Sequence, residues 1–186
     1  MFSTERYGDA HVFAPRKLPE EPFKPRDTEL YSRMHKAISV IMYKLEGQLV
    51  HRRREYGMED RDMMSRVNWG AGTINIDGTD YPLRDTDFPT VYPNDPTKLS
   101  EEEAALMEQL CAAFMHSEKL QAHARFLCSA GSLYLKRNGN LLFHACVPLN
   151  ADGSLKEVDV YGKTYKGRAL YDVMERHVRA AFFSRD

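Results

Sequence analysis

The sequence is poor in cysteine and has neither a long apolar run nor a leader-like start. Its three cysteines, Cys111, Cys128 and Cys146, are few and odd in number, whereas a secreted disulfide scaffold is usually denser and even. No apolar run approaches membrane-spanning length, and Met1 is followed by polar residues rather than by a basic and then apolar leader. These features predict a cytoplasmic protein without a membrane partner.

The sequence also lacks an excess of charge of either sign. It has 26 Lys and Arg against 27 Asp and Glu, for a formal net charge of −1. A nucleic-acid-binding protein usually presents a basic surface, so this balance predicts no nucleic-acid partner. Hydrophobic residues make up 42% of the chain, which is enough for a real core at this length.

The apolar period and the turn signals predict an α+β fold. Residues 1–26 are rich in proline and charge, which predicts an irregular lead-in, and residues 27–186 are expected to form a single α+β domain. After Asp27, a candidate N-cap, apolar residues recur at three- and four-residue steps and predict a long helix over about 28–51. Further helices are predicted near 100–116, 118–130 and 167–183, with Ser100–Glu103 as a capping box and Ser117 as a cap.

The long predicted helix has an apolar stripe and an oppositely placed charged face. The stripe consists of Leu30, Met34, Ile38, Ile41, Leu45 and Leu49. The opposite face carries Arg33, Lys36 and Lys44. The basic run Arg52–Arg54 and Arg61 could bind a phosphate, but a solvated helix end is the preferred interpretation.

Three residue pairs predict β-hairpins, because tight type I′ turns need positive φ angles. They are Asp77-Gly78, Asn138-Gly139 and Tyr161-Gly162. The strand from Leu141 to Val147 is apolar at nearly every position, so it is expected to be buried on both faces. The proline-rich loop over 84–99 is expected to be well tethered.

His144 is the candidate site residue, since it stands near the end of this apolar strand and just before a proline-broken loop. Strand ends of this kind can fix a metal ligand beside an open loop. From the residues alone, a core histidine that hydrogen-bonds a carbonyl is the favoured interpretation. His144 and Cys146 share a strand face and could bind zinc, but Cys111 and Cys128 lack zinc-site spacing.

Two other segments imitate metal motifs, and both are interpreted as coincidence. Asp9-Ala10-His11 has Asp-x-His spacing but no buried strand before it. The segment Gly57–Arg61 approximates Gly-Asp-x-x-Asp-Arg, yet it is one residue short and lacks the Gly-Asp pair.

Several collinear sequence blocks span about residues 30 to 183. The longest runs from Leu133 to Asn150 and continues through Ser154. The others are Met34–Ile41, Lys44–Gln48, Met58–Arg61, Asp85–Thr90 and Ser117–Gln121. Together these blocks resemble the class III fructose-1,6-bisphosphatases of bacteria.

The resemblance implies a part of a calcineurin-like metallophosphoesterase, that is, a partial α/β sandwich with a helical insertion. Such enzymes hold two divalent metals, manganese in this family, through Asp-x-His, Gly-Asp-x-x-Asp, Gly-Asn-His-Asp/Glu, a lone strand-end His and a late Gly-His-x-His. The implied reaction is the gluconeogenic hydrolysis of fructose 1,6-bisphosphate to fructose 6-phosphate and phosphate. Only the lone-histidine motif matches here, and it assigns His144 as a metal ligand.

The departures from the family pattern predict that the chain alone is inactive. Ala145 stands where the family usually has Gly, and the other four motifs would lie before Met1 or after Asp186. One ligand cannot hold two metals, so no stably bound metal is expected. The chain is therefore expected to be a fragment of the enzyme, or alternatively a non-catalytic binding or assembly module derived from it. Either form is expected to self-associate or to pair with a missing catalytic portion.

Overall fold

A computed structural model of the chain describes residues 2–15, 25–143 and 146–184, with Pro25 and Arg26 described by their backbone. The α-helices of this part are α1 Pro25–Arg52, α2 Glu101–Met115, α3 Glu118–Ala130 and α4 Gly167–Phe183. The strands are β1 Val67–Asn68, β2 Thr73–Ile76, β3 Thr79–Pro82, β4 Tyr134–Arg137, β5 Asn140–Phe143, β6 Val158–Val160 and β7 Lys163–Tyr165. The sheets are antiparallel, in the orders β1-β2-β3, β4-β5 and β6-β7, which confirms the α+β class.

The chain divides into two compact units, Met1–Cys111 and Ala112–Asp186. The N-terminal unit also contains 3-10 helices at Thr4–Tyr7 and His11–Phe13, within the segment expected to be irregular. The predicted lead-in over 1–26 and single domain over 27–186 stay predictions. Among the described residues, no helix has the length and apolar character that crossing a bilayer requires.

Local chemistry positions these elements largely as the sequence predicts. α1 begins at Pro25, before the predicted cap Asp27, because proline suits the first helical turn. The capping box is present: the Glu103 amide donates to Ser100 Oγ at 3.2 Å, and the Ser100 amide donates to Glu103 Oε2 at 2.7 Å. Ser117 caps α3 by accepting from the Leu120 amide at 3.3 Å.

All three predicted hairpin turns are present, with both central residues at positive φ. The angles are 50° and 85° at Asp77-Gly78, 50° and 77° at Asn138-Gly139, and 52° and 77° at Tyr161-Gly162. Registers follow from these two-residue turns, so Ile76 pairs with Thr79 and Arg137 pairs with Asn140.

The core of the N-terminal unit lies between α1, the first 3-10 helix and the loops that follow α1. Its buried members are Tyr7, Ala37, Val40, Met64 and Val91, with Phe2, Trp69 and Phe88 packed around them. The loop over 84–99 is tethered to α1, as predicted. Lys44 Nζ donates to the Thr90 carbonyl at 2.6 Å, and Gln48 Nε2 donates to the Thr97 carbonyl at 2.7 Å.

The face of α1 that carries Lys36 and Lys44 lies against this core, together with one member of the apolar stripe, Ile41, which is 1% exposed. Lys36 and Lys44 are fully buried, whereas Leu30, Met34 and Ile38 remain 46–49% exposed. An apolar stripe normally turns inward, but here each buried lysine has an acidic partner, which offsets the cost of desolvation. Lys36 Nζ lies 2.8 Å from Asp85 Oδ2.

The prediction that the strand before His144 is buried is wrong for its described residues. Leu141 and Leu142 are each 54% exposed and Phe143 is 44% exposed. β5 pairs only with β4 in a two-stranded sheet, so the described chain offers too few neighbouring strands to cover it. The predicted extension of the strand to Val147 is also wrong, since 146–148 have no strand structure.

Candidate functional site

His144 and Ala145 lie outside the described residues. The metal-ligand assignment of His144 therefore stays a prediction. The residues on either side, Phe143 and Cys146, are described.

Both flanks of residue 144 are tied to one end of the C-terminal unit. Before it, β5 pairs with β4 in a register that places Phe143 opposite Tyr134. After it, the Cys146 carbonyl accepts a hydrogen bond from the Tyr171 hydroxyl of α4 at 2.8 Å. The Tyr134 hydroxyl donates to Asp172 Oδ1 at 3.0 Å. The two short segments on either side of residue 144 are thus positioned by two tyrosines and α4.

A hollow of about 460 Å³ lies beside this segment. Its lining residues are Tyr134, Lys136, Leu141, Phe143, Val147, Leu155, Gly167, Arg168 and Tyr171. The wall is mostly apolar, with the cations Lys136 and Arg168 as its charged members. Arg168 Nε lies 3.4 Å from Asp172 Oδ2. A hollow of this size, with an apolar wall and two cations, suits a small anionic molecule.

The described residues alone do not form a metal centre. Across 2–15, 25–143 and 146–184, no three His, Cys, Asp or Glu side chains come together as a possible metal site. The three cysteines are free thiols, with Cys111 and Cys146 exposed. These residues therefore do not fit a dinuclear metal by themselves, and no catalytic step through a metal follows from their geometry.

The two motif-like segments use their polar groups locally. His11 Nδ1 lies 2.9 Å from Asp9 Oδ1, and the His11 amide donates to the same oxygen at 3.0 Å. The pKa of Asp9 is held below its ordinary value, chiefly by the bond from the His11 amide. In the segment Gly57–Arg61, Arg61 Nε donates to Glu46 Oε1 at 2.8 Å. The run Arg52–Arg54 is exposed, as expected for a solvated helix end.

A buried charged network was missed by the sequence reasoning. Lys44 Nζ donates to Glu103 Oε2 at 2.8 Å, and the Tyr7 hydroxyl donates to Glu103 Oε1 at 3.0 Å. Burial lowers the pKa of Lys44. Burial raises the pKa of Glu103, but the bonds from Lys44 and the Ser100 amide outweigh it, so the carboxyl stays below its ordinary pKa. Since these three side chains are fully buried, the network is structural, and the capping box was its only sequence signal.

A half-exposed histidine with a buried carboxylate was also missed. Asp62 Oδ2 lies 2.7 Å from His51 Nε2, and Asp62 Oδ1 accepts from the Ser65 amide at 3.2 Å. A carboxylate held in this way fixes the orientation of the imidazole. The eleven residues that separate the pair in sequence gave no recognisable spacing signal.

Comparison with known proteins identifies the family. The family model described as Firmicute fructose-1,6-bisphosphatase matches residues 1–186. The chain therefore belongs to the Firmicute fructose-1,6-bisphosphatase family, as the resemblance of its sequence blocks indicates.

Curated relatives have the same assignment, under the name class 3 fructose-1,6-bisphosphatase. The protein of Alkaliphilus metalliredigens is 46% identical over 180 residues, which cover 96% of this chain and 27% of the relative. The protein of Clostridioides difficile is 46% identical over 187 residues, which cover 100% of this chain and 28% of the relative. The chain thus spans little more than a quarter of the length of these relatives. No solved structure matches the chain.

Proposed function

We propose that this chain forms part of a class 3 fructose-1,6-bisphosphatase, a cytoplasmic enzyme that hydrolyses fructose 1,6-bisphosphate to fructose 6-phosphate and phosphate. The observation that carries the proposal is the family match over all 186 residues, supported by about 46% identity to a named relative. A match of this extent requires the whole chain, and not a single motif, to fit the family.

Within that enzyme, the chain supplies one metal ligand, His144, to a manganese site whose other ligands come from elsewhere in the protein. The resemblance of the block around His144 to the family's lone-histidine motif supports this assignment. So does the position of Phe143 and Val147, on either side of residue 144, which both line the hollow with Lys136 and Arg168. Cations on that wall would attract a phosphate ester, and bound divalent metal would act as the Lewis acid for its hydrolysis.

The proposal is tested in a chimera in which this chain replaces the matching 187-residue stretch of the Clostridioides difficile relative. We expect manganese-dependent phosphate release that falls at least roughly 100-fold in His144→Ala, because ligands of a catalytic metal set both its position and its charge. The matched control is His123→Ala, an exposed histidine of α3, which should leave turnover unchanged.

Two outcomes would contradict the proposal in different ways. A chimera that folds but releases no phosphate would refute the functional assignment, whereas activity that survives His144→Ala would refute the ligand assignment alone. The isolated chain should release no more phosphate than its own His144→Ala variant, even with manganese. Robust turnover by the isolated chain would mean that it holds a complete site.

A further inference from the structure

The N-terminal unit contains a recess with a volume of about 250 Å³. Its wall includes Val40 of α1, Val67 of β1, Ile74 of β2, Trp69 and Phe88. Val40 is buried and the other four side chains are half-buried. Several elements thus enclose a concave site, rather than one element presenting a flat surface. These residues define the Trp69 recess.

The wall of the Trp69 recess is apolar and uncharged. Among the described residues that line it, none is acidic or basic, and only Ser39, Tyr43 and Trp69 bring N–H or O–H groups of a side chain. The hollow of the C-terminal unit differs, since its wall carries Lys136 and Arg168. A charged ligand would lose its hydration in the Trp69 recess without gaining a counter-ion. The recess therefore selects a neutral molecule.

The size and the lining of the Trp69 recess suit an aromatic molecule. An apolar cavity of about 150 Å³ is enough to bind benzene, so this larger volume admits a ring with a short substituent. Phe13 and Tyr43 line the recess together with Trp69 and Phe88. The rings of Trp69 and Phe88 meet edge to face, with centroids 5.9 Å apart and planes at 82°. Aromatic rings favour such contacts with one another, so this wall favours a further ring.

One donor of the wall has no acceptor. Trp69 Nε1 is buried and makes no hydrogen bond to any residue that the structure describes. Buried donors are nearly always satisfied in folded proteins, so an unpaired one calls for an explanation. An oxygen of a bound molecule would supply the missing acceptor. Because Nε1 is buried, the indole must turn toward the recess for that oxygen to reach it.

We propose that the Trp69 recess binds a small neutral molecule, mainly an aromatic ring, that offers one carbonyl oxygen to Trp69 Nε1. The site is distinct from the proposed phosphatase site, because its lining residues all lie between Phe13 and Phe88 and include no cation. A ligand with so few atoms should bind with a dissociation constant between about 0.01 and about 1 mM.

The first test titrates the purified chain with acetophenone and follows the indole N–H signal by ¹H–¹⁵N NMR. Trp69 is the single tryptophan, so this signal is unique. We expect a saturable downfield shift, because a hydrogen bond deshields the indole proton, and the titration should extend to about 10 mM, well above the weakest affinity expected. A signal that does not move, or that shifts without saturating, would overturn the proposal.

Matched variants locate the binding in the Trp69 recess. Ile74→Phe places a larger side chain in the wall and should raise the dissociation constant at least roughly tenfold. The control is Ile76→Phe, on the same face of β2 but not among the lining residues, which should leave binding unchanged. Leu83→Phe, after β3, repeats the test from another part of the wall, so the result does not depend on one variant folding. Circular dichroism identifies the folded variants, and unchanged binding in them would overturn the proposal.

The second test separates the hydrogen bond from apolar contact. Isopropylbenzene has nearly the shape of acetophenone but no acceptor, and saturation-transfer NMR measures both probes without the indole signal. Trp69→Phe keeps an aromatic wall and removes the donor, so it should weaken acetophenone at least roughly threefold more than isopropylbenzene. Equal losses for the two probes would overturn the assignment of the acceptor.

The third test concerns the charge of the ligand. Fructose 1,6-bisphosphate should not displace bound acetophenone, because the described wall of the Trp69 recess offers no cation. Displacement would overturn the assignment to a neutral molecule. None of these measurements depends on phosphate release, so the recess and the proposed enzyme activity can fail separately.

Discussion

The two units of the chain bury their apolar residues to very different degrees. In the N-terminal unit, Tyr7, Ala37, Val40, Ile41 and Met64 are at most 6% exposed. In the described part of the C-terminal unit, only Leu170 and Val173 reach such burial among the hydrophobic residues. Burial of apolar surface is the dominant favourable term in folding. The N-terminal unit therefore carries its own core, whereas the C-terminal unit depends more on local structure.

The polar contacts are also more deeply buried in the N-terminal unit than in the C-terminal unit. The N-terminal unit places Lys44 and Glu103 in a fully buried pair. The C-terminal unit instead uses a half-buried tether, in which Arg179 donates to the Gly131 carbonyl at 2.7 Å and Glu175 accepts from the Ser132 hydroxyl at 2.8 Å. The bond from Ser132, followed by that from Arg179, holds the pKa of Glu175 below its ordinary value. Tethers of this kind connect α3, β4 and α4 with little apolar burial.

The largest expected effect comes from breaking the buried pair. Glu103→Ala should destabilise the N-terminal unit by about 3–5 kcal/mol, because it leaves the Lys44 ammonium buried without a counter-ion. Urea unfolding followed by the fluorescence of Trp69, the single tryptophan, reports on this unit. The matched control Glu55→Ala removes an exposed partner of Arg53 and should change the free energy of unfolding by less than about 1 kcal/mol. Equal effects of the two substitutions would refute a structural role for the network.

The same pair gives the N-terminal unit a defined acid sensitivity. Because the pKa of folded Glu103 lies below its ordinary value, its contribution is present above the unfolded pKa of about 4.3 and is lost as the pH falls. Glu103→Gln should therefore flatten the decline of stability below about pH 4.3. Parallel declines in wild type and variant would assign the acid sensitivity to other carboxylates.

The second largest expected effect is a loss of packing in α4 that stays within the C-terminal unit. Leu170, on α4, is 3% exposed, so Leu170→Ala should remove about 2–4 kcal/mol from the packing of that helix. Hydrogen exchange should then show loss of protection in α4, while the Trp69 unfolding midpoint stays unchanged. The matched control is Val178→Ala on the same helix, where the side chain is 53% exposed. A shift of the Trp69 midpoint by Leu170→Ala would show that the two units unfold together.

This contrast also explains which features the sequence predicts. Helices and hairpins were predictable because caps and turns are local: Asn138-Gly139 demands positive φ wherever it occurs. The orientation of α1 was not predictable, because it depends on partners that are distant in sequence. Lys44 can be buried only because Glu103, 59 residues away, supplies its charge partner.

At the candidate site, too, the sequence predicted local structure but not the contacts made by distant residues. The spacing of Phe143, His144 and Cys146 predicts a strand end and a loop, and the fold confirms the strand up to Phe143. Burial of that strand requires further strands beside it, and residues within the described chain do not supply them. The hydroxyl of Tyr171, which holds the Cys146 carbonyl, comes from 25 residues away and had no local signal.

The smallest expected effect compares identical turns in the two units. Gly78 and Gly139 adopt φ angles of 85° and 77°, and a Cβ at either position would meet open space. Gly78→Ala and Gly139→Ala should therefore cost the same local strain, about 1 kcal/mol each, without any steric clash. The consequences should differ, because β2 and β3 belong to a three-stranded sheet whereas β4 and β5 form an isolated pair, and a lone hairpin is only marginally stable. Hydrogen exchange should show that Gly139→Ala removes the protection of its hairpin, while Gly78→Ala lowers protection only about fivefold. Equal losses in the two hairpins would mean that β4 and β5 are held by more than their own pairing, and that the two units are closer in stability than their burial indicates.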